Sequence, residues 1–421
     1  MNITVESSWP SVRLKFLGRF KGGAGFPHDE QGNQTAELPF YKVKDLGLSA
    51  PDAVLRETEN YIAQDTAQDL GAFIFPAGTI VFAKVGAALL LSRFRVLSRP
   101  ACIDNNMMGF ISNPQICDTA FTLFALNLLD FANIVNPGAV PSLNEEQIAE
   151  QVLPLPTLSE QRAIANFLDQ ATVRLDALIA AKERLLETLA EKRKTLITRA
   201  ITRGISPNAS LRDSGIPWLG KIPAHWETKR VKYLFRHVVE PAPPDNDFEL
   251  LSLYTDLGVR PRKELEARGN KSTTTDNYWL VRTGDLVVNK LLAWMGAFGM
   301  SEYEGVTSPA YDILRPFEGV NTNYYHYLFR CGICFPEFRR RSTGIMDMRL
   351  RLYFDEFGDM RVPVPPFDEQ RAIVSHIAME TKKLNALREA AERTIALSKE
   401  RRAALIAAAV TGKINCTAAI A

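Results

Sequence analysis

The residues most able to bind a ligand directly lie in one arginine-rich stretch, RRRSTGIMDMRLR, at residues 339–351. A guanidinium group donates paired N–H groups that fit a phosphate or the edge of a guanine, and a hydroxyl group can pair with either. Gly344 supplies a hinge. A solvated charge run at the end of a helix would show the same pattern, so both interpretations stay open. The candidate contacts are Arg339, Arg340, Arg341, Ser342, Thr343, Arg349 and Arg351.

Outside the arginine-rich stretch, the candidate contacts are mostly uncharged polar residues. The loop NPGAVPSLN, residues 136–144, occupies the corresponding place in the first half of the chain. Its asparagine amides could pair with adenine, although turns use the same residue types. A lysine follows a β-rich run in each half, and a pair of asparagines lies in another polar loop. These candidates are Lys84, Asn105, Asn106, Asn136, Ser142, Asn144, Asn289 and Lys290.

Motifs for catalysis are weak. The sequence has no Asn-Pro-Pro-aromatic segment of the kind that adenine methyltransferases use, and no GxxxxGK[ST] phosphate loop. An ETK triplet at 227–229 lacks the nearby Pro-Asp pair of a nuclease site. Cys331 and Cys334 form a lone CxxC without a second pair of ligands, which is more typical of buried cysteines than of zinc. The sequence therefore predicts no catalytic residue, no metal site and no cofactor of its own.

Composition narrows the class of protein. The 421 residues are 46% hydrophobic, which suits packed cores and excludes disorder as the main state. A net charge of +2 does not indicate a nucleic-acid or membrane partner. Polar residues interrupt the longest apolar stretch, residues 121–135, so it is too short to span a bilayer, and five sparse cysteines suit a reducing compartment. We therefore expect a cytoplasmic protein.

An internal repeat is the strongest feature of the sequence. Residues 154–205 align without gaps to residues 363–414 at a constant offset of 209, and both copies contain the pentapeptide EQRAI. A weaker echo relates WPSVRLKFL, from Trp9, to WETKRVKYL, from Trp226. Chance does not keep one register over fifty residues, so the chain reads as two related halves.

Both copies of the repeat have the features of a long helix. Prolines hold the entering backbone extended, Ser159 and Asp368 are good N-caps, and the helices should begin at the EQR triplets. The first should end near Arg203. Its apolar residues step by four and three as in a coiled coil, whereas the register of the second copy is uncertain. The predicted first stripe is Ile164, Leu168, Ala171, Leu175, Leu178, Leu185, Leu189 and Leu196.

Two such helices should pair within the chain. A pseudo-two-fold relation between the halves requires them to run antiparallel, although a stability hairpin or a homodimer zipper would show similar periodicity. The residues assigned to the helices, as spacer or as docking positions for partners, are Glu160, Gln161, Arg162, Leu168, Leu175, Leu178, Leu185, Leu189, Glu369, Gln370, Arg371, Ile377, Leu384 and Leu387.

The sequence thus divides into four segments of α+β (mixed α/β) class. Residues 1–153 and 206–362 are globular, and each is followed by a spacer helix segment, 154–205 or 363–421. The globular segments differ from each other much more than the helices do, as expected of two domains that share a frame and recognise different targets. Drift alone could also produce that divergence.

These residues carry a resemblance to a known family. PLPTLSEQRAI, PVPPFDEQRAI and SGIPWLGKIPAHWETKRVKYL, in this two-domain layout, resemble the specificity (S) subunit of type I restriction-modification systems, the HsdS family. The resemblance covers essentially the whole chain. It implies a non-catalytic DNA-binding subunit in which two target recognition domains read the halves of an interrupted asymmetric site. The helices would space the domains and dock methyltransferase subunits.

The resemblance also implies partners. These are double-stranded DNA, two methyltransferase subunits and restriction translocase subunits, with S-adenosylmethionine, ATP and magnesium bound only by the partner subunits. Two other classes stay open: a coiled-coil adaptor, which would show no DNA sequence preference, and a nuclease, which would cut DNA with metal alone.

Overall fold

The structure is a computed structural model that describes residues 9–47, 53–136, 138, 140–255, 257–264, 275, 277–345 and 349–416. It divides into two compact units, which we call unit 1 (Met1–Arg184 with Ala391–Ala421) and unit 2 (Leu185–Ala390). Among the described residues, none of the helices combines the length and apolar character that crossing a membrane requires.

The first half of the chain contains ten strands and six α-helices in its described part. The strands are β1 (Ser11–Arg13), β2 (Gly18–Gly22), β3 (Leu38–Tyr41), β4 (Val54–Leu55), β5 (Tyr61–Ile62), β6 (Ile80–Ala83), β7 (Arg95–Leu97), β8 (Cys102–Ile103), β9 (Met107–Ser112) and β10 (Val152–Pro154). The helices are α1 (Gln64–Asp69), α2 (Ala87–Leu90), α3 (Thr119–Ala125), α4 (Phe131–Ile134), α5 (Glu145–Ala149) and α6 (Leu158–Arg203), with 3-10 turns at Leu14–Phe16, Val43–Gly47 and Leu126–Leu128.

The second half contains twelve strands and four α-helices in its described part. The strands are β11 (Leu211–Asp213), β12 (Lys221–Pro223), β13 (Glu227–Arg230), β14 (Phe235–Val238), β15 (Leu251–Tyr254), β16 (Gly258–Pro261), β17 (Trp279–Val281), β18 (Leu286–Asn289), β19 (Phe298–Met300), β20 (Gly305–Thr307), β21 (Tyr311–Pro316) and β22 (Arg361–Val364). The helices are α7 (Thr322–Phe329), α8 (Phe335–Arg341), α9 (Phe354–Gly358) and α10 (Phe367–Val410), with 3-10 turns at Val231–Tyr233, Arg262–Glu264, Ala293–Met295 and Gly332–Cys334.

The two units share one frame. In unit 1 the antiparallel strands β2, β9 and β6 lie side by side in a five-stranded sheet, and β14, β21 and β18 take the same order in the four-stranded sheet of unit 2. The strand that opens each frame pairs with the strand that precedes a long helix, β1 with β10 and β13 with β22. The predicted mixed α and β class, with an internal repeat and two long helices, is confirmed.

Each unit has its own apolar core, to which both long helices contribute. In unit 1, Ile164 and Leu168 of α6 pack in one cluster with Ile406 and Val410 of α10. In unit 2, Ile201 of α6 clusters with Ile373 and Ile377 of α10, beside the aromatic residues of α7 and α8. The cores therefore fix the ends of both helices.

The helices run antiparallel in unit 1. The Nε of Arg402 lies 2.8 Å from Oδ1 of Asp176, and the Nζ of Lys399 lies 3.2 Å from Oε1 of Glu183. As the residue number increases along α6, the residue number of its partner in α10 therefore decreases. The intramolecular antiparallel pairing that the repeat predicts is observed there.

The predicted helix starts are wrong by two residues. α6 begins at Leu158 and α10 at Phe367, so Ser159 and Asp368 lie inside the first turn. Thr157 makes the N-terminal hydrogen bonds of α6: its backbone N–H donates to Oε2 of Glu160 at 2.8 Å, and its Oγ1 accepts from the Glu160 N–H. The predicted end of the first helix, Arg203, is confirmed.

The buried stripe of α6 agrees only in part with the prediction. Ile164 and the row through Leu168, Leu175, Leu189 and Leu196 are buried or half-buried, but beyond Ile164 the alternate row lies one residue further along the chain. Leu178 and Leu185 are consequently exposed, and in α10 Leu387 is exposed as well. The residues of the observed alternate row are Ala165, Thr172, Ile179 and Leu186.

Threonine can occupy the stripe because its hydroxyl group is satisfied within the helix. Oγ1 of Thr172 donates to the carbonyl of Leu168 at 2.7 Å, and the equivalent Thr381 donates to Ile377 at 2.6 Å. A buried hydroxyl with such a partner avoids the free-energy cost of losing its hydrogen bonds to water. A search for apolar residues alone does not find it.

Candidate nucleic-acid interface

Unit 1 brings its predicted contact residues to one edge of the sheet. The N–H of Lys84, directly after β6, donates to the carbonyl of Asn106 at 2.8 Å. The carbonyl of Lys84 accepts from Leu143 at 2.9 Å, and the N–H of Asn136 donates to the carbonyl of Ser142 at 2.9 Å. Residues far apart in the sequence therefore form one polar surface.

Several of these side chains have local structural partners. Asn144 caps α5 and forms a capping box with Gln147, whose Nε2 also donates to Oδ1 of Asn136 at 2.8 Å. Asn106 donates to Oδ1 of Asp104 at 2.9 Å, while Asn105 is exposed. Each amide keeps hydrogen-bonding capacity, because a carboxamide offers both two N–H groups and a carbonyl oxygen.

Unit 2 builds the same arrangement around an arginine-bearing hairpin. The carbonyl of Lys290, directly after β18, accepts from Leu352 at 3.0 Å, as Lys84 accepts from Leu143. Thr343 and Arg351 exchange two backbone hydrogen bonds of 2.9 Å, which close the hairpin. A side chain at Gly344 would lie 2.5 Å from the carbonyl oxygen of Arg349, so the close approach of the two chains there requires glycine. We call residues 343–345 with 349–351 the unit 2 hairpin.

The arginines of this region fall into two groups. Arg340 and Arg341 both donate to Glu337, and the hydrogen bond from Arg340 is the main cause that lowers the pKa of this carboxyl group. The guanidinium group of Arg339 lies over the ring of Trp294, 5.6 Å from its centroid. Arg349 and Arg351 are exposed on the hairpin. The hairpin arginines are therefore better placed for an incoming ligand than the helical pair.

Asn289 must be removed from the candidate contacts. It is only 6% exposed, and its Oδ1 accepts from the N–H of Leu291 at 3.1 Å in a local turn. The prediction was wrong because sequence position after a strand does not show which way a side chain points. Ser342 is half-buried, and its Oγ donates to the Phe338 carbonyl at 2.8 Å.

Lys290 is held by a buried carboxylate. Its Nζ lies 3.0 Å from Oδ1 of Asp312, and the Nε2 of His237 lies 3.3 Å from the same oxygen. Burial would raise the pKa of Asp312, but the hydrogen bonds from His237 and Lys290 outweigh it and leave the pKa below its usual value. Lys290 thus supports the base of the hairpin and is less available to a ligand than Lys84.

The glutamine of each EQR triplet is buried and ties its helix to a globular segment. Gln161 is 0% exposed; its Oε1 accepts from Asp118 at 2.7 Å and its Nε2 donates to the carbonyls of Ile116 and Pro156 at 2.9 Å. Gln370 accepts from Asn321 at 2.9 Å and donates to Pro365 at 2.8 Å. Neither amide can contact a partner subunit, which corrects their assignment as docking residues.

Exposed positions on the long helices suit docking better. Arg162 and Arg371 are exposed beside the buried glutamines, and Glu369 binds His225 at 2.7 Å. Large apolar side chains also stay exposed on α6 and α10, outside the buried stripe. They are Val173, Leu178, Leu185, Met379, Leu387 and Leu397.

The described residues hold no group of three or more His, Cys, Asp or Glu side chains that could bind a metal ion. Cys331 and Cys334 are both buried, and burial raises the pKa of the Cys334 thiol well above its ordinary value. The Sγ of Cys331 instead lies 3.1 Å from Oγ1 of Thr198. Their predicted role as buried residues agrees with the structure.

The first half of the chain matches a known protein family. Residues 6–188 match the type I restriction modification DNA specificity domain. They include the unit 1 frame, the polar loop and the start of α6. Residues 6–188 of the chain therefore carry the type I restriction modification DNA specificity domain.

Curated relatives agree with this assignment. The chain is 30% identical over 199 residues to the MjaX specificity subunit of Methanocaldococcus jannaschii, a match that covers 45% of each chain. It is 21% identical over 204 residues to the EcoBI specificity subunit of Escherichia coli, covering 48% of this chain and 40% of that one. The matched part is therefore less than half the length of these type I relatives.

Solved structures share the fold over nearly the whole chain. A chain of a type I R-M system studied for its complex assembly and conformational transition has a TM-score of 0.69 at 14% identity, covering 96% of this chain and 98% of that one. The HsdS subunit of Thermoanaerobacter tengcongensis has a TM-score of 0.54 at 16% identity, with coverages of 96% and 97%. The fold of these two chains is thus shared by this chain beyond residues 6–188 as well.

Proposed function

We propose that this chain is the DNA-specificity subunit of a type I restriction-modification complex, in which each unit reads one half of a bipartite asymmetric site. The observation that carries the proposal is the shared loop frame. In both units a backbone bridge closes a loop. The leucine that follows this bridge donates its N–H to the carbonyl of the lysine that follows a central strand. The same frame presents different side chains in each unit.

The difference in side chains supports different half-sequences. Unit 1 presents amide and hydroxyl groups, with Asn105 and Asn136 exposed, whereas unit 2 presents Arg349 and Arg351. Asparagine pairs best with adenine and arginine with guanine in the major groove. A single chain with two unlike readers recognises a non-palindromic site, in contrast to a symmetric dimer.

The long helices are proposed to set the spacing between the half-sites and to dock two methyltransferase subunits. The exposed apolar side chains on α6 and α10 support docking, because interfaces bury such residues at their centre. Restriction translocase subunits would join the same complex. Partners would also supply much of the phosphate neutralisation, since a chain with a net charge of +2 carries few cations for DNA.

The chain is proposed to have no catalytic activity of its own. S-adenosylmethionine, ATP and magnesium would bind to the partner subunits, which would perform methylation and translocation. Two alternatives give other outcomes: an adaptor would show no DNA sequence preference even with its partners, and a nuclease would cut DNA with metal alone.

Methylation mapping tests the proposal. Genomic DNA from cells with and without this gene should differ by methylated adenines within one bipartite motif. A matched strain should carry Arg349→Ala together with Arg351→Ala, and its motif should relax mainly in one half. Absence of any gene-dependent motif, with methyltransferase subunits present and active, would contradict the proposed function.

The spacer role makes a separate prediction. Seven residues inserted after Leu189, with a matching insertion in α10, keep the phase of the stripe and lengthen each helix by roughly 10 Å. We expect the tolerated gap to change while both half-sequences stay the same, as read from methylated sites. Changed half-sequences would contradict this division of roles.

A further inference from the structure

We propose that Ile345 of the unit 2 hairpin reads a thymine by contacting its 5-methyl group in the major groove. This inference rests on the proposed function and assigns a specificity-determining residue. Ile345 is 100% exposed, and Gly344 and Arg349 on either described side of the hairpin are exposed too. Ile345 is not part of a described apolar core, so its apolar surface is open to bound DNA.

The setting of Ile345 points to DNA as that ligand. Arg349 and Arg351 are exposed on the opposite strand of the hairpin, where the backbones of Gly344 and Arg349 approach each other closely. Exposed cations around an apolar side chain match a groove in which phosphates flank the bases.

The shape of the hairpin selects the groove. Two paired strands lie about 4.8 Å apart before side chains are added. The major groove, about 12 Å wide, admits such a ribbon, whereas the minor groove is about 6 Å wide. The apolar group that base pairs present in the major groove is the thymine methyl. An exposed isoleucine in a major-groove hairpin therefore recognises thymine.

Unit 1 offers a matched control. Val140 lies in the loop that corresponds to the unit 2 hairpin and is also exposed. It belongs to the other unit, so a Val140→Ala change should not alter a contact that Ile345 makes. Both substitutions remove exposed methyl groups, and neither should affect folding, which thermal unfolding of each variant would verify.

The test uses the complex of the full chain with its methyltransferase subunits and the DNA motif found by methylation mapping. Each thymine of the motif is replaced in turn by uracil, which lacks only the methyl group. For the unaltered protein we expect uracil at one position to weaken binding about fourfold. This factor corresponds to the free energy of burying one methyl group. Ile345→Ala should bind thymine and uracil equally there, and Val140→Ala should keep the fourfold difference.

Three results would overturn the inference: no thymine in either half-site, no position sensitive to uracil, or an equal uracil penalty in Ile345→Ala and the unaltered protein. In each case sequence-specific binding itself would persist, so the proposed function would stand. A complex with no sequence preference would instead remove both proposals.

Discussion

At the scale of single residues, the buried glutamines explain why EQR stands at the start of both long helices. A glutamine amide can accept and donate at once, so Gln161 satisfies an N–H of one segment and two carbonyls of others. No apolar residue of similar size could pair with all three groups. The triplet therefore fixes where each helix leaves its globular segment.

We expect Gln161→Ala to lower the free energy of unfolding of unit 1 by about 2–4 kcal/mol, because it leaves three buried backbone groups without a partner. Urea unfolding of the purified chain would measure the change. The neighbouring exposed Arg162→Ala is the control and should change stability by less than about 0.5 kcal/mol. Equal effects of the two substitutions would contradict the anchoring role.

His326 is a second residue with a structural rather than a chemical role. Its Nδ1 accepts from the N–H of Met300 at 3.1 Å, which requires a neutral ring. Burial is the main cause that lowers the pKa of His326 to about 3, and the positive charge of the Arg330 guanidinium group is the second cause. Between pH 6.5 and 3 the unfolded chain binds a proton at this residue that the folded chain does not.

Stability of unit 2 should therefore fall as the pH drops below about 6.5. By linkage the slope is about 1.4 kcal/mol per pH unit for one such group, so moving from pH 7.5 to 5.5 should cost about 1 kcal/mol from this residue. Urea unfolding at the two pH values would measure it, and His326→Gln should reduce the loss by that amount. An unchanged pH dependence in the variant would show that His326 is not responsible.

At the scale of elements, the long helices show which structural features a sequence pattern can predict. Periodicity and the repeat predict both helices, the end of α6 at Arg203 and one row of the stripe. Beyond Ile164 the other row is misassigned because Ala171 is apolar and Thr172 is not, and only the hydrogen bond from Thr172 to Leu168 shows how a hydroxyl can be buried. Such compensation depends on geometry that composition does not record.

The adjacent residues Leu178 and Ile179 allow a direct test. Ile179 is 8% exposed and Leu178 is 40% exposed. Ile179→Ala should destabilise unit 1 by about 2 kcal/mol or more, and Leu178→Ala by less than about 1 kcal/mol. If Leu178 contributes to docking, its variant should instead weaken binding of the methyltransferase subunits, measured by calorimetry. Equal destabilisation by the two variants would contradict the assigned stripe.

The loops were predicted with mixed success for a related reason. The shared order of segments in the two halves indicates that loops 136–144 and 339–351 correspond, and the backbone bridges within these loops agree with that correspondence. The burial of Asn289 and the pairing of Lys290 with Asp312 depend on contacts from distant strands. Ile345 was overlooked because an apolar residue in a loop gives no signal until its exposure is known.

At the scale of the whole molecule, the described residues nearest the two termini share one core. Trp9, Ile414 and the buried Cys416 pack on one core of unit 1, while residues 205–208 are exposed. Joining the ends and reopening the chain between Pro207 and Asn208 should preserve the fold. We expect circular dichroism and the unfolding midpoint to stay close to those of the original chain, whereas reopening within α3 should prevent folding. Failure of the first permutant would contradict the pseudo-two-fold relation.

The division into units also fixes an order of assembly during synthesis. Unit 2 is one continuous segment, Leu185–Ala390, and all of it is synthesised before Ala391–Ala421. Unit 1 needs that last segment, because Ile406, Ala409 and Val410 complete its core. Domains generally fold as units while the chain emerges. Unit 1, although its first residues are made early, is therefore completed last, and a chain that ends before Ala391 would keep all of unit 2 and lack part of the unit 1 core.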